Sequence, residues 1–89
     1  MSVQADGPAA SHAEVLAELA EIVRLVTDRP VEDVRPERTF VDELRIDSLA
    51  MVEILEGAAR HFGVRIDDED AKHFVRVRDL TDYIARRLG

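Results

Sequence analysis

Apolar residues recur at the spacing of a helix in three separate stretches, and this restricts the chain to folds built by packing helices. Val15, Leu16, Leu19, Ile22, Val23 and Val26 form one such stripe. It opens at Ser11-His12-Ala13-Glu14, a capping box in which serine is followed three residues later by glutamate, and it runs to about Thr27 before Pro30. A second stripe gathers Val52, Leu55, Ala59 and Phe62, extended by Met51, Ile54 and Ala58, and Gly63 closes that helix as its C-cap. The third gathers Leu80, Tyr83, Ile84 and Leu88 between about Arg78 and Leu88. Between the last two, Val64-Arg65-Ile66 reads as an extended connection, and Asp67 or Asp68 caps a short helix through about Phe74. The expected fold is therefore all-α: a small four-helix bundle of three main helices plus a short third one. A long loop over 28–47 joins helices 1 and 2. Val31, Val34, Phe40, Val41, Leu44 and Ile46 should pin it to the core, with Phe40 its main anchor.

Eighty-nine residues make one domain with a small core, and residues 1–10, small and polar with Gly7 and Pro8, read as a disordered tail before a folded unit at 11–89. The absence of cysteine fits a reducing, cytoplasmic setting. The sequence has no apolar run long enough to span a bilayer, and no basic start followed by an apolar stretch. A net charge of -7 argues against nucleic acid as a partner. That charge is concentrated: residues 31–57 hold eight acids against three bases, whereas residues 58–89 hold six against seven. The field around the second helix should attract basic surfaces.

At the centre of the acidic region, Asp47-Ser48-Leu49 stands where loop becomes helix. Asp47 is a good N-cap, so Ser48 becomes the first helical residue, its hydroxyl beside the positive end of the helix dipole, a favourable place to attach or hold a phosphate. Leu49 falls on the wet side of the helix with Glu53, Glu56 and Arg60. From the residues alone it is either an incidental exposed leucine or a contact for a partner.

This stretch resembles the modification site of acyl carrier proteins. Asp47-Ser48-Leu49 with Val52 and Glu53 matches their "DSLxxVE". Phe62-Gly63-Val64-Arg65-Ile66 is like their "FGIxI", and Val77-Arg78-Asp79-Leu80-Thr81-Asp82-Tyr83-Ile84 is like their last helix, so the likeness runs from about Ser11 to Leu88. It implies a freestanding, monomeric, non-catalytic carrier. Ser48 would bear a covalent 4'-phosphopantetheine arm, attached by a phosphopantetheinyl transferase that Asp47 helps to orient. Leu49, Glu53, Glu56, Arg45 and Arg60 would meet partners such as an acyltransferase or ketosynthase with basic docking surfaces. Val52, Leu55, Ile66 and Ile84 would shelter the acyl chain, although ordinary core is an equal reading for each.

Catalysis at Ser48 itself is excluded on chemistry. His61 shares its helix but lies thirteen residues on, several turns away, the G-x-S-x-G elbow is absent, and His12, His61 and His73 have no shared metal spacing. The acidic run Asp67–Asp70 lacks the alternation and glycine of a calcium loop. The chain also departs from the family where Arg45 replaces a usual glycine, and Ala50 and Arg60 replace usual acids. A different turn before Asp47 is therefore expected, and the carrier is expected to serve fatty-acid synthesis or, given this less acidic docking face, more readily polyketide, antibiotic or other specialised synthesis. Two alternatives share the fold: a peptidyl or aryl carrier, whose glycine-rich run and histidine are missing here, and an unmodified interaction module.

Overall fold

The structure is a computed structural model that describes residues 11–88; the tail expected at residues 1–10 falls outside them. Four helices follow in order: α1 His12–Thr27, α2 Ser48–Phe62, α3 Asp68–Ala71 and α4 Val77–Leu88, with a 3-10 turn at Val31–Asp33 in the long loop. α1 is the hub, packing against both α2 and α4.

The caps that the sequence offers are used. The Ser11 hydroxyl accepts from the Glu14 amide at 3.1 Å, and the Glu14 carboxylate accepts from the Ser11 amide at 2.9 Å, so two otherwise orphaned donors are satisfied at once. Gly63 ends α2 at φ 67°, a left-handed conformation that costs glycine little. α1 ends at Asp28, also left-handed at φ 64°, where the cap amide donates back to the Arg24 carbonyl. α3 is shorter than expected: helix stops at Ala71, and His73 and Phe74 donate to the Asp70 and Ala71 carbonyls in turns that carry the chain toward α4. α4 starts one residue early because the Asp79 carboxylate accepts from the Arg76 amide at 2.8 Å and the Val75 amide at 3.0 Å, closing off its N-terminus.

The core is Val15, Leu19 and Val23 of α1, Ile54 and Ala58 of α2, and Val77, Leu80 and Ile84 of α4, all fully buried. The long loop seals one side of it. Val34, Phe40, Leu44 and Ile46 are buried as expected, but Val31 and Val41 are exposed, so four apolar side chains fix the loop, not six. Main-chain bonds complete the seal. Phe40 donates to the Val75 carbonyl at 3.0 Å, Val77 to Arg38 at 2.9 Å and Arg78 to Pro36 at 2.9 Å, with a single bridge between Thr39 and Arg76. Within the loop Thr39 and Glu43 exchange side-chain-to-amide bonds at 2.8 and 3.0 Å.

The inward stripe of α2 also differs from expectation. Ile54 and Ala58 are its centre, flanked by half-buried Met51, Leu55, Ala59 and Phe62, while Val52 is 50% exposed. At 3.6 residues per turn Val52 stands roughly 140° round the helix from Ile54 and Ala58. Only the four-residue α3 lies on that side, too short to cover it. Among the described residues no helix is long and apolar enough to cross a membrane.

Candidate functional site

The loop delivers its last residues to α2 through two constraints. Ile46 is buried and its amide donates to the Phe40 carbonyl at 2.9 Å, which fixes the chain one residue before the cap. Asp47 is extended (φ -81°, ψ 175°), its carboxylate accepts from the Ala50 amide at 2.8 Å, and its carbonyl accepts from the Met51 amide at 2.9 Å. These are the two bonds of a helix N-cap, so Asp47 is spoken for by the helix and Ser48 is not. Ser48 is the first residue of α2 and exposed, beside the positive end of a fifteen-residue helix. Two of the three histidines are engaged elsewhere: His61 pairs with Glu18 of α1, and His12 reaches Asp82 of α4 at 2.9 Å. The carboxylates near Ser48 are Asp47, which already accepts from the Ala50 amide, and Asp68 at the start of α3. Among the described residues no group of metal-ligating side chains converges.

Arg45 occupies the position where a glycine was expected from resemblance, and its backbone is left-handed at φ 58°. The turn is thus the one a glycine would make with ease, held here by a residue for which it is strained. The buried neighbours Leu44 and Ile46, whose amides donate to Thr39 and Phe40, impose that conformation. The arginine side chain is left in solvent near the cap.

Beside Ser48 a hollow of about 500 Å³ opens between α2 and α3, with Ser48 and Asp47 at its mouth, Met51, Val52 and Leu55 on one wall, and Ala71, Lys72 and Phe74 on the other. A second hollow of about 170 Å³ continues along the same side, where Val52, Leu55 and Ala59 face Ile66 and Ala71. Three of the four expected wall residues, Val52, Leu55 and Ile66, therefore come together. The fourth, Ile84, lines neither hollow. It is fully buried on the inward face of α4 and belongs to the packing of the bundle.

α3 is held to α4 by a polar knot that the sequence did not announce. The Tyr83 hydroxyl donates to the Asp70 carboxylate at 2.8 Å. Arg87 lies over the Tyr83 ring at 3.8 Å, and its Nε donates to the Arg65 carbonyl at 3.2 Å. Phe74 meets the same ring edge-on at 5.1 Å. Burial, and then the bond to Asp70, push the Tyr83 phenol above its usual value. The wall of the hollow is thus a short helix tied down at one corner.

On the far side of α2, Leu49 is 70% exposed, and Glu53, Glu56 and Arg60 are exposed beside it. None of these three charged side chains forms an ion pair within the described residues.

Known proteins resemble the chain in sequence and in fold. The pattern described as a phosphopantetheine attachment site matches residues 17–84. The chain is 48% identical over 77 residues to an acyl carrier protein of Acidothermus cellulolyticus, covering 86% of this chain and 92% of that one. It is 46% identical over 78 residues to a meromycolate extension acyl carrier protein of Mycolicibacterium aurum, covering 88% of this chain and 80% of that one. Among solved structures it is similar to the acyl carrier protein of Enterococcus faecalis, with a TM-score of 0.72 and 29% identity over 88% of this chain and 99% of that one.

Proposed function

The chain belongs to the phosphopantetheine-binding family of acyl carrier proteins, and from that premise we propose that Ser48 is the attachment residue and that the carrier serves a chain-elongating synthase. Members of this family are non-catalytic carriers with a covalent 4'-phosphopantetheine, served by a phosphopantetheinyl transferase and by biosynthetic enzymes. The arm, once attached, supplies a terminal thiol that holds acyl groups as thioesters.

The observation that carries the assignment is the geometry at the start of α2. Asp47 satisfies the helix, so the Ser48 hydroxyl is left exposed with no internal partner. The site also suits the group. A phosphodiester on Ser48 gains from the α2 dipole and from Lys72, a cation that lines the same hollow. The hollow beside it has a largely apolar wall, which lowers the cost of exposing an alkyl chain to water. Val52, Leu55 and Ile66 hold that chain in this reading. The tether gives each partner a high effective concentration of cargo.

Relatives named simply as acyl carrier proteins, and one named for meromycolate extension, support elongation of acyl chains. Ala50 and Arg60, where acids are usual, favour specialised partners of the polyketide type within that class. The carrier works as a cytoplasmic monomer in this reading.

The test is intact mass after incubation with coenzyme A and a broad-specificity phosphopantetheinyl transferase. The wild type should gain one phosphopantetheine, and Ser48→Ala, with unchanged thermal stability, should gain none. A gain on Ser48→Ala would overturn the assignment. Loading of the modified protein with a malonyl group by an acyltransferase, and not with an aminoacyl group by an adenylating enzyme, then separates an acyl carrier from a peptidyl one.

A further inference from the structure

α1 and α2 run antiparallel: Glu18 meets His61, and Ile22 lies so close to Gly57 that a Cβ there would come within 3.3 Å of it. Along this pair the two helices leave a groove of about 730 Å³ whose apolar floor is Ile22, Leu25 and Val26 and whose α2 edge runs from Glu53 through Glu56 and Gly57 to Arg60 and His61. Leu25 is 69% exposed, as bare as Leu49, and the two leucines flank Glu53 from different helices. The charges around the groove fall into two groups. Glu18 is bonded to His61 and Glu21 is paired with Arg24, whereas Glu53, Glu56 and Arg60 have no ion-pair partner within the described residues.

We infer that the α1–α2 groove is the second half of the docking face, and that Leu25 is its apolar anchor for the elongating enzyme. The occupant is a segment of that enzyme with basic side chains opposite Glu53 and Glu56, an aliphatic side chain set beside Leu25, and an acidic side chain opposite Arg60. The uncompensated charges dictate this order, because each needs an opposite partner once water is excluded. The groove supplies the desolvated centre and the charges its rim, the arrangement in which a truncated apolar anchor has a large effect. The inference rests on the carrier reading of Ser48 and extends it to a surface outside α2.

The experiment is steady-state turnover of the phosphopantetheinylated protein by a purified elongating ketosynthase, with KM and kcat measured separately. Leu25→Ser should raise KM roughly five- to tenfold with kcat unchanged, and Leu49→Ser should do the same. Val75→Ser, an exposed valine on the α3–α4 connection, should leave both constants alone. Arg60→Glu carries the sign of the charge order: it should raise KM several-fold, whereas a lower KM would mean a uniformly basic partner and overturn the proposal. A Leu25→Ser value within twofold of wild type would overturn it as well. Arm attachment, followed by mass on every variant, reports separately on Ser48, so failure of the groove and failure of the attachment site are told apart. Leu25→Lys, with a different effect on solubility, guards against a folding artefact.

Discussion

α4 and α2 look alike in sequence and do opposite jobs. α4 has twelve residues and buries six of them: Val77, Leu80, Thr81, Tyr83, Ile84 and Ala85. α2 has fifteen, is richer in apolar side chains, and buries only Ile54 and Ala58. The difference is coverage. α4 faces α1 on one side and is sealed by the loop at its N-terminus, while α2 is covered by α1 alone and meets little beyond the four-residue α3. Apolar side chains that α2 does not bury are left to line the two hollows beside Ser48. One helix is built into the core, and the other keeps much of its apolar surface open.

Substitutions can break this contrast. Ile84→Ala removes a fully buried side chain and should cost about 2–5 kcal/mol in chemical denaturation. A loss below about 1 kcal/mol would mean that α4 is not the structural helix. Asp47→Ala removes the α2 cap at the functional end and should cost about 1 kcal/mol, with slower arm attachment as a second readout. Tyr83→Phe tests the knot that holds α3 to α4, and loss of its bond to Asp70 should cost roughly 0.5–1.5 kcal/mol at neutral pH. This bond also has a pH signature. The folded phenol titrates above its unfolded value of about 10. Its stabilising contribution is therefore complete below pH 10 and lost as pH rises from there through the folded value. Wild type should lose stability over that alkaline window and Tyr83→Phe should lose less, as read by thermal denaturation at stepped pH. The smallest effect belongs to α2: Val52→Ala, at a half-exposed position, should cost only a few tenths of a kcal/mol. A loss near that of Ile84→Ala would erase the contrast.

What the sequence made legible is whatever local chemistry decides. Ser11 and Glu14, Asp47 and Gly63 announce helix ends because their side chains, or the lack of one, act within a turn. Phe40 could be read as an anchor because large aromatic side chains in a loop need burial, and it is 1% exposed. Val52, Val41 and Val31 were expected inside and are not, because periodicity reports which face is apolar and not whether another element covers it. The knot of Tyr83, Asp70, Arg87 and the Arg65 carbonyl was beyond reach for the same reason: its members come from three segments that only the fold brings together. Arg45 is a different kind of case. The missing glycine was visible and suggested another turn, and the structure holds Arg45 in a left-handed backbone, which glycine adopts with least strain, between buried Leu44 and Ile46.

The bonds between residues 36–40 and 75–78 have a consequence of their own. They clasp the chain at two points far apart in sequence, so everything between, including Ser48, both hollows and all of α2 and α3, is a closed loop on a stem. Entropy for closing that loop is spent once, when the stem forms, and grows only slowly with its length. The segment inside can therefore loosen and re-form without the stem parting, as a cooperative unit weaker than the whole. Amide exchange would register this as a ranking, with the α3 amides freed first and those of Phe40 and Val77 last. The region around Ser48 can breathe in this way while the rest of the molecule stays folded.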